Sequence, residues 1–129
     1  MKILLDTHVW IWMAADPDRL STHARRHILN EDNELLLSAA STWEIAIKWV
    51  LGKLTLPAEP REFVAEQLRF TATSPLEIRH DHALTVATLP KKHLDPFDRM
   101  LIAQAQTEGV PILTGDPQFR RYDVDVIPA

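Results

Sequence analysis

The runs "KILL", "ELLLS" and "VPILT" are apolar on consecutive residues, and helix-length stretches separate them. A strand with one wet face alternates apolar and polar side chains, so a solid apolar run must be covered on both faces. Strands of that kind, alternating with helices, specify an α/β fold: a three-layer sandwich with a central parallel sheet flanked by helices. The expected strands are Lys2 to Asp6, Glu34 to Ser38, an extended segment ending near Ile78, "VPILTGD" ending at Asp116, and "VDVIP".

Turn and cap chemistry places the helices between them. "THVWIWMAA" reads as a short helix ending before Pro17, and Ser21 can cap a helix from Thr22 to about Asn30. "STWEIAIKWVLG" reads as a helix with Ser41 as N-cap and Gly52 as its stop, with Glu44 closing a capping box. Pro60 opens "REFVAEQLRF", "RHDHALTVATL" stops at Pro90, and Asp95 with Pro96 starts a helix that ends near Gly109. No repeat, low-complexity tract or linker interrupts the pattern, so residues 1–129 are expected to form one domain.

The N-terminal apolar run carries Asp6 and His8, which is inconsistent with a signal peptide. No uninterrupted apolar stretch is long enough to span a bilayer, and the chain has no cysteine, as expected of a cytoplasmic protein.

In open parallel sheets, ligands bind at the carboxyl ends of the strands. Asp6 and Asp116 each end an expected strand, Glu44 lies early in the helix after the second strand, and Asp98 lies in the first turn of the helix from Pro96. Four carboxylates are thus expected near one edge. Three of them also have an ordinary role to hand: box partner for Glu44, dipole partner for Asp98, turn residue for Asp116. Asp6, ending an apolar strand with no turn residue after it, has none.

At ~5 Å and an effective dielectric of ~20, two carboxylates repel by ~3 kcal/mol, so a cluster of four needs protons or cations. Hard oxygen donors without cysteine suit Mg²⁺ or Mn²⁺ rather than Zn²⁺. Lys48, one turn after Glu44, and Arg99, next to Asp98, are candidates to neutralise part of the charge. Thr114 is a candidate to bond a water or a phosphate.

The net charge of −4 argues against non-specific nucleic-acid binding. Setting the four acids aside leaves 14 acidic against 14 basic residues, with basic pairs at Arg25–Arg26, Lys91–Lys92 and Arg120–Arg121. Lys91 and Lys92 are the best candidates for phosphate contacts, because their loop leads into the helix carrying Asp98.

"ILLDTHVWIW", "SAASTWEIAIK", "HLDPFDRMLIAQA" and "ILTGDPQF", in that order and across nearly the whole chain, resemble the PIN-domain nucleases, and within them the VapC-type toxins of toxin–antitoxin pairs. The resemblance implies a PIN-like sandwich and Mg²⁺- or Mn²⁺-dependent endoribonuclease activity on RNA, inhibited by a cognate VapB-like antitoxin. It carries the family's acids onto Asp6, Glu44, Asp98 and Asp116, with Asp6, Asp98 and Asp116 as metal ligands. Four tryptophans are many for this length and suggest interfaces, hence a homodimer and an apolar groove for the antitoxin.

Other readings are a catalytically idle PIN-like module that binds protein or RNA, a histidine nuclease using the RNA 2′-hydroxyl, and a phosphatase with Asp6 as nucleophile. The first predicts a missing acid, the second lacks a HExxH-type helix around His23 and His27, and the third lacks a second acid two residues after Asp6.

Overall fold

The computed structural model describes residues 1–93 and 95–129. Five strands form one parallel sheet: β1 Lys2–Leu5, β2 Glu34–Ser38, β3 Ser74–Leu76, β4 Ile112–Thr114 and β5 Val126–Pro128, in the order β3-β2-β1-β4-β5. Six α-helices connect them: α1 Thr7–Ala15, α2 Thr22–Leu29, α3 Ala39–Val50, α4 Pro60–Phe70, α5 His80–Thr85 and α6 Pro96–Glu108. Short 3-10 turns follow α1, α5 and β4.

The apolar runs behave as their composition demands. Ile3 and Leu5 of β1, Leu35 and Leu37 of β2 and Leu113 of β4 join one core with Val9, Trp10, Ile45 and Phe63. Leu4, Leu36 and Ile112 point the other way, into a second core with Leu101, Ile102, Ala103 and Phe119. Each strand therefore feeds both cores, which is why no polar alternation survives in it.

The order of the strands fixes where a site can form. From β1 the chain moves outward through β2 to β3, then returns past β1 to β4 and β5. The reversal leaves a crevice between β1 and β4, outside their carboxyl ends. Leu5 pairs with Leu113, so the next residues, Asp6 and Thr114, come out side by side.

The strands expected to end at Asp6 and Asp116 stop at Leu5 and Thr114, the last strand starts at Val126, and two helices also depart from the sequence reading. Helix α3 begins at Ala39 with Ser38 as N-cap, its hydroxyl accepting from the Ala40 amide at 3.0 Å. Ser41 is therefore not the cap, and Glu44 lies in the second turn, out of reach of a capping box. Ala39 and Ala40 are strong helix formers, so nothing delays the helix to Ser41. The helix expected up to Pro90 loosens after Thr85 into a 3-10 turn over Val86–Thr88. Among the described residues no helix is long and apolar enough to cross a membrane.

Candidate active site

The crevice holds Asp6 at its floor. Asp6 is 3% exposed, and its Oδ2 accepts a 2.7 Å hydrogen bond from the Thr114 hydroxyl on the neighbouring strand. Burial raises the pKa of its carboxyl; the Thr114 bond and His8 pull it back, while the charge of Glu44 pushes it further up. Thr114 also accepts from the Asp116 amide at 3.0 Å. Its oxygen thus ties both strand ends together.

Glu44 is buried, and its Oε2 accepts a 2.7 Å bond from the Lys48 ammonium one turn on. Lys48 has the neutralising place expected of it. Its pKa is raised, chiefly by the bond to Glu44, with Asp95 and Asp98 adding to the effect. Beneath it, the buried Thr7 hydroxyl donates to Ser41 Oγ at 2.7 Å, joining the starts of α1 and α3. That pair replaces the cap role expected for Ser41.

Helix α6 brings Asp98 to the same crevice. Asp95 Oδ1 accepts from the amides of Phe97 at 2.9 Å and Asp98 at 3.1 Å, and Pro96 occupies the first helical position, so Asp95 is the N-cap. At the other end Gly109 takes φ 67°, a left-handed stop that glycine adopts without strain. Asp98 has its pKa pushed up to about 8, first by burial and then by the charges of Asp95, Asp6, Asp116 and Glu44. Every expected acid of the site is therefore within electrostatic reach of Asp98.

Sequence reasoning missed the partners behind Asp98. His93 Nε2 lies 3.4 Å from Asp98 Oδ2, and His93 Nδ1 lies 2.8 Å from the Tyr122 hydroxyl. The Tyr122 oxygen also receives the His93 amide at 3.3 Å and Arg99 Nη1 at 3.2 Å. With two donors aimed at its oxygen, Tyr122 gives its own proton to Nδ1, which leaves an N–H on Nε2 facing Asp98 across a long contact. Nothing in the sequence pairs His93 with Tyr122, 29 residues on.

Arg99 does not neutralise the acids. Its guanidinium donates to the Pro90 carbonyl at 2.8 Å and reaches the carbonyls of Val86 and Leu89, closing the loop before α6. A side chain next to Asp98 on a helix points about 100° away from it. Lys91 and Lys92 are exposed in that loop.

Asp116 is half-buried at the mouth of the crevice, and its Oδ1 accepts from the Gln118 amide at 2.9 Å as the cap of a 3-10 turn. Among the described residues, no three His, Asp or Glu side chains converge at liganding distance of one point. Each acid is turned to a partner of its own: Asp6 to Thr114, Glu44 to Lys48, Asp116 to Gln118 and Asp98 to His93. Gathering Asp6, Asp98 and Asp116 around one ion therefore takes side-chain rotation. The donor set itself, all carboxylate oxygen, fits a hard divalent cation, which would also relieve the repulsion that lifts Asp98.

Two substitutions separate scaffold from site. Asp95→Asn is expected to keep the cap, with a stability within about 1 kcal/mol of the parent and most of the protein's activity, since Asn caps as well as Asp. Loss of activity on the scale of an Asp98 variant would place Asp95 in the chemistry instead. Thr114→Val is expected to leave buried Asp6 without its hydroxyl donor and cost about 1–3 kcal/mol in denaturant melts. Thr114→Ser should restore the bond; a Val variant as stable as the parent would remove Thr114 from the role of holding Asp6.

Comparison with known proteins agrees with this architecture. The PIN domain family matches residues 3–125. Ribonuclease VapC22 of Mycobacterium tuberculosis is 32% identical over 126 residues, covering 93% of this chain and 91% of that protein. Ribonuclease VapC16 of the same organism is 50% identical over 50 residues, 39% of this chain and 36% of that protein. Among solved structures, VapBC2 from Rickettsia felis, bound to a promoter DNA fragment, has a TM-score of 0.76 at 12% identity, covering 99% of this chain and 98% of that one. DNA-bound VapBC from Salmonella typhimurium has a TM-score of 0.71 at 21% identity, with the same coverage.

Proposed function

This chain belongs to the PIN-domain family, alongside the VapC ribonucleases, and from that premise we propose that it is an endoribonuclease toxin that needs Mg²⁺ or Mn²⁺ and is inhibited by a cognate VapB-like antitoxin. The observation that carries the proposal is the electrostatic convergence of Asp6, Glu44, Asp95 and Asp116 on Asp98 at the β1–β4 crevice. Gathering this much like charge, with Asp6 and Glu44 buried, has no packing benefit and is expected where a divalent cation and a phosphodiester meet.

Asp6, Asp98 and Asp116 would hold the cation. What the cation supplies when bound is activation of water and screening of charge on phosphorus. Thr114 fixes the Asp6 carboxylate by donating to Oδ2. Glu44, held by Lys48 rather than by the strand ends, would take the proton of the attacking water. The Lys48 ammonium holds the Glu44 side chain in place through its bond to Oε2. Tyr122 holds His93 beside Asp98, with Nε2 3.4 Å from Oδ2. Lys91 and Lys92 would meet backbone phosphates flanking the cut bond.

Exposed apolar surfaces lie outside the crevice. Trp43 and Trp49 of α3 are 60% and 40% exposed, with Val50 and Leu51 beside them, and Trp43 packs edge-on against Phe97 at 5.2 Å. A second apolar surface has exposed Leu29 and Phe70 on a shallow groove with Met13 and Ile28. Two such surfaces are what a homodimer that also binds an antitoxin requires.

The test is cleavage of RNA by purified protein after EDTA treatment and again after Mg²⁺ or Mn²⁺ is restored. Activity should vanish and return, and the products should carry 5′-phosphate and 3′-hydroxyl ends. Full cleavage in EDTA, or 2′,3′-cyclic phosphate ends, would remove the metal mechanism and favour the histidine route.

A further inference from the structure

Beside the crevice lies a cleft of about 400 Å³ between α1, α3 and the loop after α3. It shares Thr7, Glu44 and Lys48 with the acid site, so whatever fills it lies next to the reacting bond. One wall is the half-buried Trp12 indole. Its ring edge is packed beneath the loop that carries Asp116: a Cβ placed on Gly115 would stand 3.7 Å from Cη2 and Cζ3 of Trp12. The exposed Arg19 guanidinium lies over the same ring at 4.8 Å, and His8 flanks it at 6.4 Å.

The charges around the cleft suit a nucleotide. Arg19 and Lys53 stand exposed at its rim, with Asp16 the one acid there besides Glu44, itself paired with Lys48. A chain of net charge −4 thus places an aromatic face and two exposed cations together at its acidic site. Unpaired RNA bases are recognised by stacking on aromatic and guanidinium planes, with cations tracking the backbone. A volume of this size falls within the range that holds a small ligand, and admits one nucleoside but not a duplex.

We propose that this cleft seats one unpaired RNA base at Trp12, adjacent to the bond that is cut. The proposal rests on the endoribonuclease reading above. Arg19, which covers the Trp12 ring at 4.8 Å, gives way to the base, and Arg19 and Lys53 meet flanking phosphates. Trp12 is here a binding residue for substrate, not a member of the acid site.

The experiment uses the full chain with Mg²⁺ and a short single-stranded oligoribonucleotide whose cut bond has been mapped. Each nucleotide near that bond is replaced in turn by an abasic residue, and kcat/KM is measured for the parent, Trp12→Leu and Trp12→Phe proteins. In the parent, one abasic position should lower kcat/KM by about tenfold or more, the scale of a lost base stack. Trp12→Leu should be slow on the intact oligonucleotide and lose nothing further at that abasic position. Trp12→Phe, which keeps a ring, should recover the sensitivity.

If the parent is indifferent to every abasic position, the proposal is overturned without any variant, whether or not Trp12→Leu folds. Undiminished abasic sensitivity in a folded Trp12→Leu protein also overturns it. If that protein instead resists antitoxin while cutting both substrates as the parent does, the cleft seats a peptide and the proposal falls. A parent that cuts no RNA with Mg²⁺ fails the endoribonuclease reading itself, which is a separate result.

Discussion

Asp98→Asn is expected to abolish RNA cleavage while raising the melting temperature of the metal-free protein at pH 8. The two effects share one cause. The Asp98 carboxyl is pushed up to about 8 by burial and by four neighbouring acids, against 3.8 for an ordinary aspartate. Between those values the folded chain holds a proton that the unfolded chain has released. Stability without metal therefore falls as pH rises through that window, because the folded state binds more protons than the unfolded state. Asn has no charge to bury, so the variant should escape the loss.

The melting temperatures of the two proteins should differ by several degrees at pH 8 and approach one another as pH falls toward 4. Cleavage should fall by a factor on the order of a hundred to ten thousand, because the amide can neither take up the cation's charge nor exchange a proton. A variant that melts below the parent at pH 8 would show that the Asp98 carboxylate is a stabilising partner of His93 rather than a strained acid.

Glu44→Gln has the second large effect. The structure places Glu44 in the second turn of α3, so a capping role cannot account for any loss. Gln can still accept from Lys48, but the charge that the ammonium faces is gone. Because Lys48 is half-exposed, the stability change should stay within about 1 kcal/mol. Cleavage should drop by on the order of a hundredfold or more, the scale of a lost acid–base group. KM should change little, since Glu44 is given no role in holding the substrate. Near-parental kcat would reduce Glu44 to a partner for Lys48, and the site would shrink to three acids.

Much of this was legible in the sequence because it depends on local rules. Solid apolar runs require a sheet covered on both faces, and β1, β2 and β4 fall within the runs that suggested them. Asp95 with Pro96 marks the start of α6 without ambiguity, and Gly109 marks its end. The approach of Asp6 to Asp116 follows from strand ends in a parallel sheet.

The unread parts depend on which elements become neighbours. Thr114 holds Asp6 because β4 pairs with β1 across a separation of 108 residues. His93 and Tyr122 meet only when α6 and the turn after β4 close on the same loop. The capping-box pattern pointed to Ser41, whereas Ser38 caps α3 and Ser41 is taken by Thr7. The tryptophans divide in a way composition cannot show: Trp10 is core, Trp12 walls the cleft, and Trp43 and Trp49 face outward.

The most direct measurement is a calorimetric titration of Mn²⁺ into the parent and into Asp98→Asn, with RNA cleavage followed on the same samples. The expected result is a saturable Mn²⁺ site in the parent that tracks activity, and loss of both in the variant. Mn²⁺ binding of unchanged affinity by Asp98→Asn, or cleavage by a parent that binds no Mn²⁺, would contradict the assignment of these carboxylates as the metal site.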